Sequence, residues 1–263
     1  MTGPRGLLVA AFLVVGAFLV GPTLLVLWFS VSQNELLIYP PTGFTTRWYA
    51  EFAADGSWTG ALLRSLLFAS ISASAATLFG TLAAWRMARM NSFVVNSIRA
   101  ASVSVLVMPP VVLAVGSFIA YSNVQLYGNP IALILTYTAL GLPFPILLGD
   151  VALRRIDRNL ELAARGLGAG PARVAVHVIL PLLTPTMLTA WGLAFLTAFD
   201  EVVITSFILP QGTGTTFAIQ LFAQLQQGLT PVIAAASGVV IAVAFVAAGA
   251  GGWRYVAQQV RVR

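Results

Sequence analysis

Residues 7–30 read LLVAAFLVVGAFLVGPTLLVLWFS, and no ionisable residue occurs anywhere between Gly6 and Asn34. At a rise of ~1.5 Å per residue, a helix of this length crosses the ~30 Å hydrocarbon core of a bilayer. A cleavable secretory signal would have a shorter apolar core of about 7 to 15 residues, followed by a small-residue cleavage site. The run therefore predicts a first membrane span that stays in the protein.

The composition of the whole chain agrees with a membrane location. Of its 263 residues, 59% are hydrophobic and only 8% are charged, whereas about a quarter of the residues of a soluble domain are charged. A soluble protein with so few charges would expose large apolar patches to water. We therefore expect the lipid bilayer to cover most of the protein surface.

Apolar stretches with few charges predict five further spans, at residues 65–86, 103–121, 131–149, 182–209 and 232–253. Prolines in the third and fourth of these predict bent or broken helices. The polar segment of residues 32–60 predicts an external loop that contains an interfacial helix. The expected fold is an all-α polytopic membrane protein with six transmembrane helices, forming a single domain over residues 1–263.

The arginines predict the orientation of the chain. All 14 basic residues are Arg, and twelve of them fall on the side that carries both termini and the loop of residues 150–180. Only Arg47 and Arg64 fall on the other side. Because cytoplasmic loops are enriched in basic residues, both termini are predicted to be cytoplasmic.

The residue types exclude several kinds of chemistry. The chain has no Lys, so it cannot hydrolyse ATP through a phosphate-loop lysine of its own. It has no Cys, and its single histidine, His177, has no second metal-type ligand nearby, so we expect neither a metal site nor a bound cofactor. The basic residues are not interleaved with aromatic ones, which argues against a nucleic-acid partner. A membrane hydrolase would need a cluster of Ser, His or carboxylate groups, and we expect no enzymatic activity.

The loop of residues 150–180 predicts two short helices. Asp157 can cap the first, Gly168 supplies a turn with positive φ, and Pro171 can begin the second. Leu180 precedes Pro181, so the second helix is expected to end there. Such a helical elbow cannot form a core of its own and must dock on something else. The residues alone leave open whether it docks on a partner protein or lies on the bilayer surface.

The same loop resembles the EAA loop of permease subunits of type I ABC importers. In that pattern E-A-A is followed by three residues, Gly, nine residues and I-x-L-P; Ala163, Ala164, Gly168 and Leu180-Pro181 occupy their places here. Leu162 stands at the Glu position, with Glu161 one residue early. Further similarity to spermidine/putrescine-type permeases lies in residues 47–49, 65–67, 80–84, 108–111 and 199–203.

The resemblance implies a type I importer permease fold in the bacterial inner membrane, with several partners. These are two ABC ATPase subunits that use ATP and Mg, a second permease subunit that is a different but related chain, and an external solute-binding protein. The resemblance makes the loop a coupling loop for the ATPase. Its candidate contacts are Glu161, Ala163, Ala164, Arg165, Gly168 and Arg173, although Arg173 can equally be a positive-inside anchor.

Asp200 and Glu201 are the acidic residues predicted to lie within a span, the fifth. A charge at the bilayer centre costs about 2.5 to 3.5 kcal/mol, so such groups face a cavity or a partner. A cationic substrate or a neighbouring arginine could be that partner. Trp191, Phe195 and Tyr137 could add cation–π contacts, or they could simply pack.

The function expected from these features is import of a polyamine such as putrescine or spermidine. The alternatives are an ABC permease for another solute, such as an amino acid derivative, a metal or an anion, or a secondary carrier. A secondary carrier predicts an inverted repeat, which the sequence does not display.

Overall fold

Helices make up all the regular structure that is described. The computed structural model describes residues 4–90, 92–210 and 214–245, and of residues 4–7 only the backbone. Across these ranges no strand occurs, so the expectation of an all-α protein is confirmed. The helices are α1 (Pro4–Ser30), α2 (Arg47–Ala54), α3 (Gly56–Ala88), α4 (Phe93–Val107), α5 (Pro110–Asn123), α6 (Pro130–Gly141), α7 (Pro143–Arg155), α8 (Arg158–Gly166), α9 (Pro171–Val174), α10 (Leu180–Phe199), α11 (Val203–Ile208), α12 (Phe217–Gln227) and α13 (Pro231–Phe245).

Four helical segments in the described residues are long and apolar enough to cross a membrane. They are Leu8–Ser30, Gly56–Ala88, Pro130–Arg155 and Pro171–Phe199. They overlap the first, second, fourth and fifth predicted spans. Of the sixth, α13 covers residues up to 245, and the remainder lies outside the described residues. The total of six spans therefore stays a prediction.

The third predicted span is broken into two helices. α4 and α5 meet at an angle of 106°, and the break falls at Pro109 and Pro110, as the prolines predicted. The predicted start of this span at residue 103 is too late, because α4 begins at Phe93, where the Ser92 hydroxyl accepts the Val95 N–H. Pro110 lies in the first turn of α5, where its missing N–H leaves no intrahelical bond unmade.

The fifth predicted span also differs from the helix that forms. The second elbow helix does not end at Leu180, since a π-helical turn, Ala175–Ile179, leads directly into α10. Leu180 keeps α-helical angles, with φ −60° and ψ −43°, and Pro181 lies in the first turn of α10. The wider π turn changes the hydrogen-bond register there, so the missing N–H of the proline does not stop the helix. At the far end, α10 stops at Phe199 rather than running to residue 209.

The described chain groups into two compact units, Met1–Gly60 with Gln220–Arg263, and Ala61–Ile219. In the first unit, α2 forms within the external loop as expected, and it buries Trp48 and Phe52. The indole Nε1 of Trp48 donates to the Ser32 carbonyl at 2.6 Å, and the hydroxyls of Ser30 and Tyr49 lie 2.8 Å apart. These bonds fix α2 against the end of α1. The interpretation of residues 1–263 as one domain stays a prediction.

The second unit is a bundle in which small residues let helices approach closely. A Cβ added to Gly80 of α3 would lie 2.4 Å from Cγ of Pro145 in α7. One added to Gly141 of α6 would lie 3.0 Å from Cβ of Ala194 in α10. A Ser- and Ala-rich face of α3 is buried here, which suits close packing of helices in a bundle. α3, α6, α7 and α10 therefore form the rigid frame that carries both candidate sites.

Candidate functional site

The first candidate site is the elbow, residues 156–179, which follows α7. Its local structure agrees with the sequence: Oδ1 of Asp157 accepts the Asn159 N–H at 2.9 Å and caps α8. Gly168 has φ +85°, a conformation that favours glycine. Pro171 is the first residue of α9. The elbow is therefore a helix, a glycine turn and a second short helix, as predicted.

One face of the elbow packs on its own chain. Ala164 lies against a cluster formed by Val174, Ile179, Leu183 and Met187, all of which are buried. Residues of α7 complete the same cluster from the other side. The elbow is therefore attached to the adjoining ends of α7 and α10, and movement of α8 would be transmitted to these two helices.

Glu161 also faces its own chain. Its Oε1 accepts a bond from Nη2 of Arg89 at 2.5 Å, and 18% of the Glu161 side chain is exposed. Arg89 follows the end of α3, and its guanidinium lies 5.6 Å from the ring centre of Trp85. The carboxylate therefore holds α8 against the C-terminal end of α3.

The other elbow candidates are exposed. Ala163, Arg165, Gly168 and Arg173 all face away from the rest of the described chain. No atom lies within 4 Å of a Cβ added to Gly168, so this chain needs the glycine for its φ and not for packing. Two more residues of the elbow are exposed, although the sequence did not suggest them as contacts for a partner. They are Leu162, which is 64% exposed, and Leu167, which is 90% exposed. Apolar residues among arginines were the signal that could have identified them.

The second candidate site is the break between α10 and α11. Asp200 and Glu201 do not lie inside a continuous helix as expected; they fall where α10 ends and α11 has not yet begun. Oε1 of Glu201 accepts the Ile204 N–H at 2.9 Å and so satisfies the start of α11. Asp200 is exposed, and within the described residues its carboxylate forms no salt bridge. The structure thus gives the two carboxylates different surroundings.

Tyr137 of α6 is buried and fastens this break. Its hydroxyl donates to the Glu201 carbonyl at 3.2 Å and also contacts the Thr205 hydroxyl. Only 2% of the residue is exposed. The ring is therefore packed and does not present a face on which a solute could lie.

Trp191 belongs to a stack of rings, the aromatic ladder, formed by Trp191, Phe195, Phe199 and Phe217. Successive ring centres lie 5.3, 5.7 and 6.0 Å apart. The first three rings recur every four residues on one face of α10 and are half-buried. The Trp191 Nε1 donates to the Ser74 hydroxyl at 3.1 Å. The ladder runs along α10 through Phe199, the residue before Asp200, and continues to Phe217. Its period of four was visible in the sequence, but its continuation to Phe217 was not.

No group of three or more His, Asp or Glu residues in the described ranges could hold a metal ion. His177 lies on the elbow, with Nδ1 3.1 Å from the Arg173 carbonyl. Neither candidate site therefore has the ligands of a resident metal.

Comparison with known proteins gives a family match and related sequences. The family model described as "Binding-protein-dependent transport system inner membrane component" matches residues 76–260. The chain is similar to the "Putrescine transport system permease protein PotI" of Escherichia coli (strain K12), with 29% identity over 231 residues, 85% of this chain and 82% of that protein. It is also similar to the "Spermidine/putrescine transport system permease protein PotC" of the same organism, with 27% identity over 207 residues, 78% of this chain and 77% of that protein.

Among solved structures, the chain resembles one in the "Crystal structure of a bacterial ABC transporter involved in the import of the acidic polysaccharide alginate". The TM-score is 0.74 at 15% sequence identity, and the match covers 95% of this chain and 96% of that one. At this identity the likeness shows that the two chains share a fold.

Proposed function

The chain belongs to the binding-protein-dependent transport system inner membrane component family, and we propose that it forms one permease half of an ATP-driven importer for a small organic polycation. The relatives named as putrescine and spermidine/putrescine permeases support this class of solute. The observation that carries the proposal is the exposed Asp200 carboxylate, which directly follows Phe199 of the aromatic ladder.

This arrangement suits a polyamine better than the alternatives. The Asp200 carboxylate lies at the end of a membrane-spanning helix and has no countercharge among the described residues, and an ammonium group passing beside it would supply one. Half-buried aromatic faces attract the same ammonium groups by about 0.5 to 2 kcal/mol each. A diamine can contact Asp200 and a ring of the ladder together, because its two charges are separated by a flexible chain. An anion would be repelled by the same carboxylate.

The candidate residues take different roles in this proposal. Asp200 contacts the solute directly, with Trp191 as the first ring of the ladder. Glu201 and Tyr137 are positioning residues, because the Glu201 carboxylate caps α11 and the Tyr137 hydroxyl fastens the break. The chain itself performs no covalent chemistry.

The proposed assembly contains a second, related permease subunit, two cytoplasmic ATPase subunits that use ATP and Mg, and an external solute-binding protein. The elbow is the proposed contact with the ATPase. Its exposed residues Ala163, Arg165, Gly168 and Arg173 are available to a partner, while Glu161 and Ala164 attach it to its own chain. Both termini are cytoplasmic in this proposal, as the arginine distribution predicts.

Uptake of labelled putrescine into proteoliposomes that contain the assembled importer tests the solute contact. Asp200→Asn should lower ATP-dependent uptake by about tenfold, the effect of losing roughly 1.4 kcal/mol of charge attraction. Glu201→Gln is the matched control, because its amide oxygen can still accept the Ile204 N–H, and most uptake should remain. Unchanged uptake in Asp200→Asn would reject the proposed solute contact.

The same proteoliposomes distinguish an importer from a secondary carrier. An importer takes up putrescine only when the ATPase subunits and ATP are present. Uptake by the chain without any ATPase, driven by an ion gradient, would replace the proposed function by that of a secondary carrier.

A further inference from the structure

A cavity of about 290 Å³, here called the arginine cavity, lies between the ends of α3 and α7 and the start of α8. It is several times larger than the ~30 Å³ that one water molecule occupies in the liquid. Its charged lining consists of three arginines and one glutamate, namely Arg89, Arg154, Arg158 and Glu161. The lining therefore has an excess of two positive charges, which favours an anionic ligand.

The carboxylates beside the arginine cavity do not neutralise this excess. Glu161 is already bonded to Arg89 at 2.5 Å, and Arg154 shares the carboxylate of Asp150 with a second arginine. Arg158 forms no ion pair in the described part of the chain. Its guanidinium group is therefore available to an anion that enters the cavity.

The arginine cavity lies where two membrane-spanning segments end. Gly56–Ala88 and Pro130–Arg155 are both long and apolar enough to cross a membrane, and the last turn of each lines the cavity. The ends of spans lie at the level of the lipid headgroups, so the anions closest to the cavity are lipid phosphates. Basic pockets between membrane helices at this depth are suited to the headgroups of anionic lipids.

A groove of about 330 Å³, here called the α3 groove, adjoins the cavity and is lined by Leu82, Trp85, Arg86, Arg89 and Met90. The Arg89 guanidinium lies between the two, because it bonds to Glu161 of the cavity and stands 5.6 Å from the Trp85 ring centre in the groove. Leu82 is 51% exposed and lies about one turn closer to the middle of the span than Arg86. The groove thus offers apolar surface for an acyl chain directly beside the cations.

We propose that the arginine cavity binds the phosphate of an anionic phospholipid, one acyl chain of which lies along the α3 groove. Arg154 and Arg158 contact the phosphate oxygens, because guanidinium groups match the geometry of phosphate. Arg89 stays bonded to Glu161 and borders both the headgroup and the chain. The bound lipid joins α8 to the ends of α3 and α7. This inference goes beyond the proposed function and does not depend on the solute that is carried.

Native mass spectrometry of the full-length chain in a neutral detergent tests the site. The chain is titrated with phosphatidylglycerol or with phosphatidylcholine of the same acyl chains, and the first should bind roughly tenfold more tightly. Arg158→Gln should lower the affinity for phosphatidylglycerol about fivefold and leave that for phosphatidylcholine unchanged. Because Arg158 is exposed and forms no ion pair in the described residues, we expect this variant to fold.

Arg155→Gln is the matched control for charge. Arg155 is exposed at the same end of α7, but it does not line the arginine cavity. The variant removes the same charge at the same membrane depth and should bind phosphatidylglycerol as the wild type does. Equal losses in Arg155→Gln and Arg158→Gln would show that the arginines attract anionic lipid only in general, and the proposed site would be rejected.

The acyl chain distinguishes a lipid from free phosphate. Leu82→Gln should weaken phosphatidylglycerol binding several-fold, because the chain loses apolar surface. Leu63→Gln, at a 67% exposed position near the other end of α3, is the control and should not weaken it. Inorganic phosphate at millimolar concentration should not displace the lipid. Displacement by phosphate, with no effect of Leu82→Gln, would assign the cavity to a free anion and overturn the proposal.

Equal affinity of the wild-type chain for the two lipids would also overturn the proposal. That result would leave the proposed function intact, because ATP-dependent putrescine uptake is measured separately. Loss of putrescine uptake in the wild type, with selective phosphatidylglycerol binding retained, would reject the function and leave the lipid site in place.

Discussion

Tyr137 shows how one buried hydroxyl positions the acidic break. Its hydroxyl contacts the Glu201 carbonyl and the Thr205 hydroxyl, and Thr205 in turn donates to the same carbonyl at 3.1 Å. The Glu201 carbonyl, which lies where α10 has ended, is thereby bonded within the protein. Asp200 keeps its exposed orientation because its neighbour is held in this way.

We expect Tyr137→Phe to destabilise the protein by about 1 kcal/mol, the value of one buried hydrogen bond, and to reduce putrescine uptake several-fold. The first effect would be measured as thermal unfolding in detergent and the second in proteoliposomes. Tyr121→Phe is the control, since it removes a hydroxyl of the same core that contacts Thr136 at 3.1 Å instead of the break. Equal uptake in the two variants would argue against a positioning role for Tyr137.

Single residues also show the limit of reading a site from sequence. The sequence correctly identified Asp157, Gly168 and Pro171 as local signals, because each acts on its own backbone neighbours. It could not assign Glu161, whose partner Arg89 lies 72 residues away and is brought near only by the packing of α3. The sequence also could not distinguish the role of Asp200 from that of Glu201, because Glu201 caps α11 only where that helix begins in the fold.

At the scale of helices, α4 and α7 are joined by a buried ion pair. Arg99 of α4 donates two bonds to the Asp150 carboxylate, at 2.9 and 3.0 Å, and Arg154 of α7 approaches the same carboxylate at 3.2 Å. The Asp150 side chain is 11% exposed, Arg99 is 23% exposed and Arg154 is 47% exposed. Because the break at Pro109 leaves α4 without a continuous helix to hold it, this pair is its main polar attachment to the bundle.

Asp150→Asn should therefore destabilise the protein by about 3 kcal/mol, near the lower end of the range for a broken buried ion pair because Arg99 keeps some solvent contact. Arg154→Gln should cost less than about 1 kcal/mol, because it removes a largely exposed partner of the same carboxylate. Chemical or thermal unfolding of the purified protein in detergent would compare the two. A larger loss for Arg154→Gln would show that the exposed arginine, and not Arg99, holds the helices together.

The helix boundaries followed the sequence where local signals acted alone. Apolar length placed α1 and α3, and the paired prolines predicted the break before α5. Leu180 before Pro181 was misread, because the rule against helix before proline assumes a uniform α register, and the π turn of Ala175–Ile179 changes that register. Packing of Val174 and Ile179 against α7 and α10 holds that turn in place, and a sequence window of a few residues does not contain this information.

For the whole molecule, the fold follows from the bilayer more than from any motif. Every backbone group at membrane depth must be bonded within the protein, which leaves helices as the solution for this composition. The sequence could therefore predict the all-α class and the order of the spans. It could not predict the 106° bend between α4 and α5, which depends on how neighbouring helices pack rather than on the prolines alone.

The orientation of the chain in the membrane is a prediction that concerns the whole molecule. The side with twelve of the fourteen arginines should face the cytoplasm, because moving basic loops across the membrane is unfavourable. Phe44→Cys, in the loop between α1 and α2 and 78% exposed, should therefore react with an impermeant maleimide in spheroplasts. Ser97→Cys should react only in inside-out vesicles. The reverse pattern would place the elbow outside the cell, where it could meet neither ATP nor an ATPase subunit, and it would contradict both the topology and the mechanism that depends on it.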